Sequence, residues 1–229
     1  MANEQFNSAA ATSGAGELAT NKVLKNTYML LAATLAFAAV TAMGAVALDI
    51  PRLPLIPFLA VFFGLSFLVT KTANSGWGLV SVFLFTGFLG ASLGPIINLY
   101  LGIPNGSAQV AQAFGLTAFV FIGLSAYVVI TKADMSFLRG FVMAGVMIML
   151  GMIGIAVIMQ LVGGTIPSGI MLAYSAFVVL LMSALILYQT GEIVNGGETN
   201  YILATTTLFM TIYNLLISLL NIFGMMGDD

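Results

Sequence analysis

Long apolar runs without a single charged residue are the feature that most limits what this chain can fold into. Hydrophobic residues make up 60% of the 229-residue chain, which is enough for about seven bilayer crossings at roughly 20 residues each. Charged residues make up only 6%, against about 25% in soluble domains. The runs are unbroken, whereas the strands of a membrane β-barrel alternate apolar and polar residues. The sequence therefore predicts an all-α integral membrane protein.

The apolar runs predict seven transmembrane helices, separated by short loops with polar residues, Gly or Pro. The predicted spans are about 28–48, 55–70, 77–101 and 108–130, a fifth that ends near 162, a sixth that ends near 188, and 201–223. Residues 189–200 are predicted to form the loop before the last helix. Pro95, directly after Gly94, is expected to kink or break the third helix. A re-entrant third helix is the alternative to seven full crossings.

The chain before the first span differs in composition from the rest. Residues 1–21 are rich in Ala, Ser, Thr, Asn and Gly and have no apolar period, so they are predicted to be a disordered tail. Residues 22–229 form the predicted membrane domain. Five of the six basic residues fall on the amino-terminal side of the predicted helices, and only Arg52 falls on the other. By the positive-inside rule, the amino terminus is predicted to be cytoplasmic and the carboxyl terminus periplasmic.

The missing residue types exclude several classes of function. The chain has no His and no Cys, so it lacks the usual general base, a thiolate nucleophile and the common zinc and haem ligands. No ionisable side chain is predicted within the membrane, where pumps, antiporters and voltage sensors carry theirs. The net charge of −2 gives no indication of nucleic acid binding. We therefore predict a protein that is not an enzyme and binds no cofactor or metal.

Neutral polar residues form a stripe along the seventh predicted helix. Thr207, Thr211, Asn214 and Ser218 recur at steps of three and four residues, which places them on one helix face. A helix with such a face is predicted to lie centrally in the bundle rather than against lipid. Two interpretations of the intramembrane polar residues stay open: hydrogen bonds between helices, or the lining of a path for a solute.

Small residues at a spacing of four predict close helix packing. Gly90 and Gly94 lie in the third predicted helix, and Gly140 and Ala144 lie in the fifth. Such pairs let two helix backbones approach closely. Packing within the bundle is favoured over homodimerisation, and no oligomeric state is predicted.

Short motifs spread over the chain form a further pattern. The most specific is Gly-Gly-Glu-Thr-Asn-Tyr-Ile at 196–202, followed by Tyr-Asn-Leu at 213–215. The others are Lys-Val-Leu-Lys-Asn-Thr-Tyr at 22–28, Lys-Thr-Ala-Asn at 71–74, Phe-Thr-Gly-Phe-Leu-Gly at 85–90, Gly-Pro-Ile-Ile-Asn at 94–98 and Asp-Met-Ser-Phe-Leu at 134–138. Together they resemble the Bax inhibitor-1 family, the transmembrane Bax-inhibitor-motif proteins, and especially its bacterial YccA-like branch. The resemblance runs from residue 22 to the end, and it implies a seven-helix bundle whose last helix is surrounded by the other six.

The resemblance also implies a regulatory function in the bacterial inner membrane. Proteins of that branch are substrates and modulators of FtsH, a membrane-anchored ATP-dependent protease, and they restrain its degradation of other membrane proteins. In that family the protease grips the cytoplasmic amino-terminal tail. Here residues 1–21 would be that handle, with Lys22 and Lys25 at its boundary.

Other members of the family are described as pH-sensitive calcium leak channels, gated by aspartates in the sixth and seventh helices. This chain departs from them, because Gln189 stands where the first aspartate would fall and Thr211 where the second would fall. Neither side chain titrates near neutral pH. The resemblance makes Gln189, Thr211 and Asn214 the candidate polar core that replaces the acid pair. It makes a calcium leak channel or passive transporter the alternative to protease modulation.

Overall fold

Seven long α-helices account for most of the chain. The computed structural model describes the backbone of residues 2–226 and the side chains of Leu18 and of residues 20–225. The helices are α1 (Ala2–Ala47), α2 (Leu55–Thr72), α3 (Gly78–Leu101), α4 (Gly106–Thr131), α5 (Arg139–Leu161), α6 (Ser168–Val194) and α7 (Tyr201–Met226), with a short 3-10 turn at Ser136–Leu138. Each helix contains a stretch long and apolar enough to cross a membrane, which in α1 begins at Thr20. The predicted all-α membrane fold with seven spans is confirmed for the described residues.

The end of α6 differs from the prediction. The helix continues to Val194, so the predicted loop over 189–200 is wrong in its first half. Thr190 and Ile193 are buried, and Gly191 lies against the side chain of Met135, which precedes α5. These contacts stabilise a helix end that hydropathy alone does not reveal.

The course of α3 past its proline also differs from the prediction. The helix is continuous from Gly78 to Leu101, through Pro95, so the expected break is wrong and α3 is a full-length span. Proline is tolerated inside a transmembrane helix where neighbouring helices compensate for the lost backbone hydrogen bond. Pro95 is buried in the bundle, which meets that condition.

Glycines bring α1 and α3 into close contact. A Cβ atom added at Gly90 would meet the backbone of Ala38, and one added at Gly94 would meet Ala45. The predicted close packing at these two glycines is therefore confirmed. The pair of α1 and α3 has the most extensive contact in the bundle.

The matching prediction for α5 is wrong. The space beside Gly140 is open, and Gly145 instead lies against the side chain of Leu181 in α6. α5 packs mainly on α6 and on the 3-10 turn, and most of its surface faces outward. Only one helix is close enough to α5 to require a small residue, and the sequence does not show which face meets it.

α7 packs against α1, α2, α3, α4 and α6, and half of its membrane-crossing stretch is buried. Along the polar stripe, Thr211 and Ser218 are buried, Asn214 is half-buried and Thr207 is exposed. That α7 is enclosed by all six other helices stays a prediction, since α5 packs on α6. The predicted disorder of residues 1–21 also stays a prediction, because it falls mostly on residues whose side chains lie outside the described part.

Candidate functional site

Two of the three residues of the predicted polar core meet where α6 faces α7. The Thr211 hydroxyl oxygen lies 3.1 Å from Oε1 of Gln189 and 2.9 Å from the backbone oxygen of Thr207. A hydroxyl has one hydrogen to donate, so it is shared between the two acceptors unless the Gln189 amide is turned over and donates through Nε2. Thr211 is buried and Gln189 is half-buried. The contact is a neutral hydrogen bond that joins the two helices.

The depth of this contact follows from helix geometry. At 1.5 Å per residue, Gln189 lies roughly 8 Å from the end of α6 and Thr211 roughly 15 Å from the start of α7. Both therefore lie in the half of the bundle nearer the α6–α7 loop. Asn214, one turn further along α7, is not part of the contact, because its Nδ2 donates to the backbone oxygen of Met210 at 2.8 Å.

A second group of hydroxyls, which the sequence analysis missed, joins four helices in the same half of the bundle. The Thr190 hydroxyl oxygen of α6 lies 3.4 Å from that of Tyr28 in α1 and 3.4 Å from that of Ser125 in α4. The Thr205 hydroxyl oxygen of α7 lies 3.2 Å from the backbone oxygen of Thr27 in α1 and 2.7 Å from that of Tyr201 in its own helix, so its one hydrogen is shared between the two acceptors. The residue types were visible in the sequence, but spacing along one helix does not show which helices meet. These contacts favour the interpretation of intramembrane polar residues as links between helices.

Asn200, within the most specific matching motif, joins two loops. Its Oδ1 accepts hydrogen bonds from the backbone N–H groups of Ile202 and Leu203 at 2.9 and 3.2 Å, as a helix N-cap does. Its Nδ2 donates to the backbone oxygen of Ala73 at 3.2 Å and to Oδ1 of Asn74 at 2.8 Å. The side chain therefore fixes the start of α7 against the turn between α2 and α3.

A cavity of about 580 Å³ lies between the polar core and the loop that joins α1 to α2. Small-molecule sites typically enclose about 300–1,000 Å³. Its apolar wall includes Phe58, Phe88, Ile96 and Ile217, and its polar groups are Arg52, Ser92, Gln160, Tyr213 and Asn214. Asn214 lines this cavity. Among the described residues it makes no hydrogen bond to Gln189 or Thr211, so it belongs to the cavity and not to the contact between α6 and α7.

Apart from Lys22 and Lys25, which lie within α1 where its membrane-crossing stretch begins, the charged side chains of the described residues lie at helix ends and in loops. Lys71 and Asp134 are exposed, and Glu192 is half-buried in the last turn of α6. A hydrogen bond from the backbone N–H of Ser136, at 2.8 Å, lowers the pKa of Asp134. Within the described residues, no three acidic side chains come close enough together to hold a metal ion.

The predicted boundary of the protease handle lies at the start of the membrane-crossing stretch of α1. Lys22 and Lys25 are both exposed, and neither forms an ion pair within residues 20–225. Lys25 also borders an open groove of about 440 Å³, together with Tyr28 and Phe121. Among the side chains that the structure describes, neither lysine therefore has a charged partner.

Comparison with known proteins gives strong similarities over nearly the whole chain. The family model described as inhibitor of apoptosis-promoting Bax1 matches residues 20–228. The chain is 47% identical over 213 residues to the modulator of FtsH protease YccA of Escherichia coli K12, which covers 93% of this chain and 94% of that protein. It has the same identity and coverage with the inner membrane protein YccA of Escherichia coli O6:H1. It is 50% identical over 225 residues to an uncharacterized protein of Pseudomonas aeruginosa, with 98% and 97% of the two chains covered.

Proposed function

Because this chain belongs to the family of inhibitors of apoptosis-promoting Bax1, we propose that it is a non-enzymatic membrane protein that binds an FtsH-type protease and restrains its degradation of other membrane proteins. The observation that carries the proposal is the 47% identity, over 93% of the chain, to a protein named as a modulator of FtsH protease. A match that spans all seven helices supports a shared activity of the whole membrane domain.

The use of polar groups within the bundle supports a binding protein rather than a catalyst. Thr190, Thr205 and Thr211 make hydrogen bonds to neighbouring helices. General acid–base catalysis needs a titratable group within hydrogen-bond reach of a substrate. The partners of these three threonines are a neutral hydroxyl, a backbone carbonyl and a side-chain amide.

The proposed orientation places the amino terminus in the cytoplasm and the carboxyl terminus in the periplasm. Lys22, Lys25, Lys71, Lys132 and Arg139 then face the cytoplasm, as the positive-inside rule requires. In this orientation residues 1–21 precede the first membrane crossing on the side where an ATP-dependent protease works. We propose that this tail is the segment that the protease grips.

Deletion of residues 2–21 is expected to abolish binding to the protease, because the membrane domain that remains exposes only short cytoplasmic loops. The measurement is co-purification of an FtsH-type protease with the tagged protein from detergent extract, together with the half-life of a membrane substrate of that protease. With the tail deleted, recovery of the protease should fall to background and the substrate should be degraded faster.

The matched control for this deletion is the removal of residues 227–229, at the opposite end of the chain, which should leave binding and substrate half-life unchanged. Unaltered co-purification and unaltered proteolysis after deletion of residues 2–21 would count against the tail as the handle. Absence of co-purification with the full-length chain would overturn the proposed function itself.

A second candidate function, an ion leak of the kind described for other family members, is favoured by one observation. The cavity reaches Asn214 near the middle of α7, and the hydrogen bond between Gln189 and Thr211 lies beyond it along the bundle. A cavity that is open at one end and ends near a single neutral hydrogen bond is compatible with an ion path that this hydrogen bond closes.

Calcium flux into vesicles that contain the purified protein tests this candidate. For a leak channel, wild-type protein should pass Ca²⁺ faster than empty vesicles, and Gln189→Asp should increase the flux because carboxylates coordinate Ca²⁺. Two controls are matched to this variant. Gln189→Glu carries the same charge on a longer side chain, and Gln189→Asn has the shape of the aspartate without its charge. Flux equal to that of empty vesicles, for the wild type and every variant, would dispose of the leak channel.

A further inference from the structure

Arg52 lies at the mouth of the 580 Å³ cavity, and no carboxylate of the described residues pairs with it. The other charged residue of the loop between α1 and α2 is Asp49, and its carboxylate accepts a hydrogen bond from Nδ2 of Asn98 at 3.2 Å. A guanidinium group has five N–H donors in a planar fork that matches a carboxylate or a phosphate. No acceptor among the described residues bonds to these donors, so they can bind an anion.

The polar side chains deeper in the cavity each make at least one hydrogen bond within the protein. The hydroxyl groups of Tyr213 and Ser92 bond to each other at 2.7 Å, and the Asn214 amide donates to the backbone oxygen of Met210. The remaining wall is apolar, with Phe58 and Phe88 among its side chains. Because these side chains already bond within the protein and the wall around them is apolar, an apolar group in the inner part of the cavity costs little in lost hydrogen bonds.

The polar groups of the cavity that lack a partner among the described residues therefore lie at one end of it. Arg52 and the Gln160 amide make no hydrogen bond within the described residues, and both are exposed near the ends of the helices that border the cavity. The interior runs from there to the middle of α7. A ligand that fits this pattern has an anionic group at one end and an apolar body.

The geometry points to a binding site for an anionic amphiphile with a single acyl chain. Its carboxylate or phosphate binds the Arg52 guanidinium and the Gln160 amide, and its acyl chain lies against Phe58, Phe88 and Ile217. A lipid without an anionic group would leave the guanidinium without a charged partner, and a zwitterionic lipid would bring a positive choline beside it. If only water filled the cavity, its apolar wall would stay in contact with water, which is unfavourable. Because the site faces the α1–α2 loop, and the tail lies at the other side of the bundle, this inference does not depend on protease binding.

Native mass spectrometry of the delipidated full-length protein tests the site, with palmitate, lysophosphatidylglycerol and lysophosphatidylcholine as probes. The first two share the anionic single chain and distinguish a carboxylate from a phosphate head, and the third has no net charge. We expect one saturable adduct with at least one of the two anionic probes and weaker binding of lysophosphatidylcholine. Arg52→Gln should weaken that adduct roughly tenfold or more, the scale of one lost charge-assisted hydrogen bond.

Two further variants separate the site from general surface charge. Arg139→Gln removes an exposed arginine on the opposite side of the bundle and should leave binding unchanged. Ala91→Phe, in the cavity wall, should reduce binding of the acyl chain while Arg52 is intact, with the melting temperature used to verify that the variant is folded. Equal binding of lysophosphatidylcholine, or adducts that neither Arg52→Gln nor Ala91→Phe weakens, would overturn the inference.

Discussion

Gly90→Val is expected to disrupt the packing of α1 on α3 and to prevent recovery of a stable bundle. A Cβ atom at this position would meet the hydroxyl oxygen of Thr41 and the backbone oxygen of Ala38, and would lie 2.6 Å from the Cα atom of Ala38. Backbone atoms of a packed helix cannot move aside as a flexible side chain can. Overpacking typically costs about 1–3 kcal/mol, and more where the neighbour is rigid.

The measurement is the melting temperature and the monodisperse yield of the detergent-solubilised protein. Gly115→Val is the matched control, because a Cβ atom added at this glycine of α4 would meet nothing within 4 Å. It should leave both quantities close to those of the wild type. If Gly90→Val melted at the same temperature as Gly115→Val, α1 and α3 would not be in the close contact described here.

The sequence was sufficient for the number of helices because hydropathy and length alone decide which segments cross a bilayer. It was also sufficient for Gly90 and Gly94, since a glycine pair at a spacing of four in an apolar helix has few functions other than close packing. The same spacing failed at Gly140. That residue shares the pattern, but its helix packs through another face, and no single helix sequence shows which face has a neighbour.

In the candidate site, too, the sequence identified individual residues but did not show which of them meet in the folded protein. The resemblance indicated Gln189 and Thr211, and the structure brings the two side chains within 3.1 Å. Asn214, indicated together with them, lines the cavity instead. The extension of α6 to Val194 depends on contacts of Thr190 with Ser125 in α4 and of Gly191 with Met135 in the loop before α5. The cavity at Arg52 depends on where α2, α3 and α7 diverge, which no local pattern encodes.

Thr211→Asp is expected to destabilise the protein in a way that depends strongly on pH. Thr211 is 3% exposed, and a charged side chain near the centre of a transmembrane helix costs about 2.5–3.5 kcal/mol on insertion scales. Burial favours the neutral acid, so the pKa of the introduced carboxyl in the folded protein is raised above the unfolded value of about 3.9. The folded state then holds the proton more tightly than the unfolded state.

The sign of the effect follows from this difference in proton binding. Below the unfolded pKa both states are protonated, and the variant has its highest stability relative to the wild type. As the pH rises from the unfolded pKa toward the raised folded pKa, the unfolded state loses its proton first and stability falls. The melting temperature of Thr211→Asp in detergent should therefore decrease between about pH 4 and pH 8, while that of the wild type changes less.

Thr211→Asn is the matched control, because it has nearly the shape of the aspartate without a titrating group, and its melting temperature should follow the wild-type pH profile. Thr207→Asp places the same carboxyl one turn earlier on α7, about 6 Å closer to the start of the helix, where the side chain can reach the aqueous boundary more easily, and should show a smaller dependence on pH. If Thr211→Asp and Thr211→Asn had parallel profiles, the introduced carboxyl would be hydrated in the folded protein. Water would then reach the contact between Gln189 and Thr211, which would contradict a dry link between α6 and α7 and favour the ion leak over protease modulation alone.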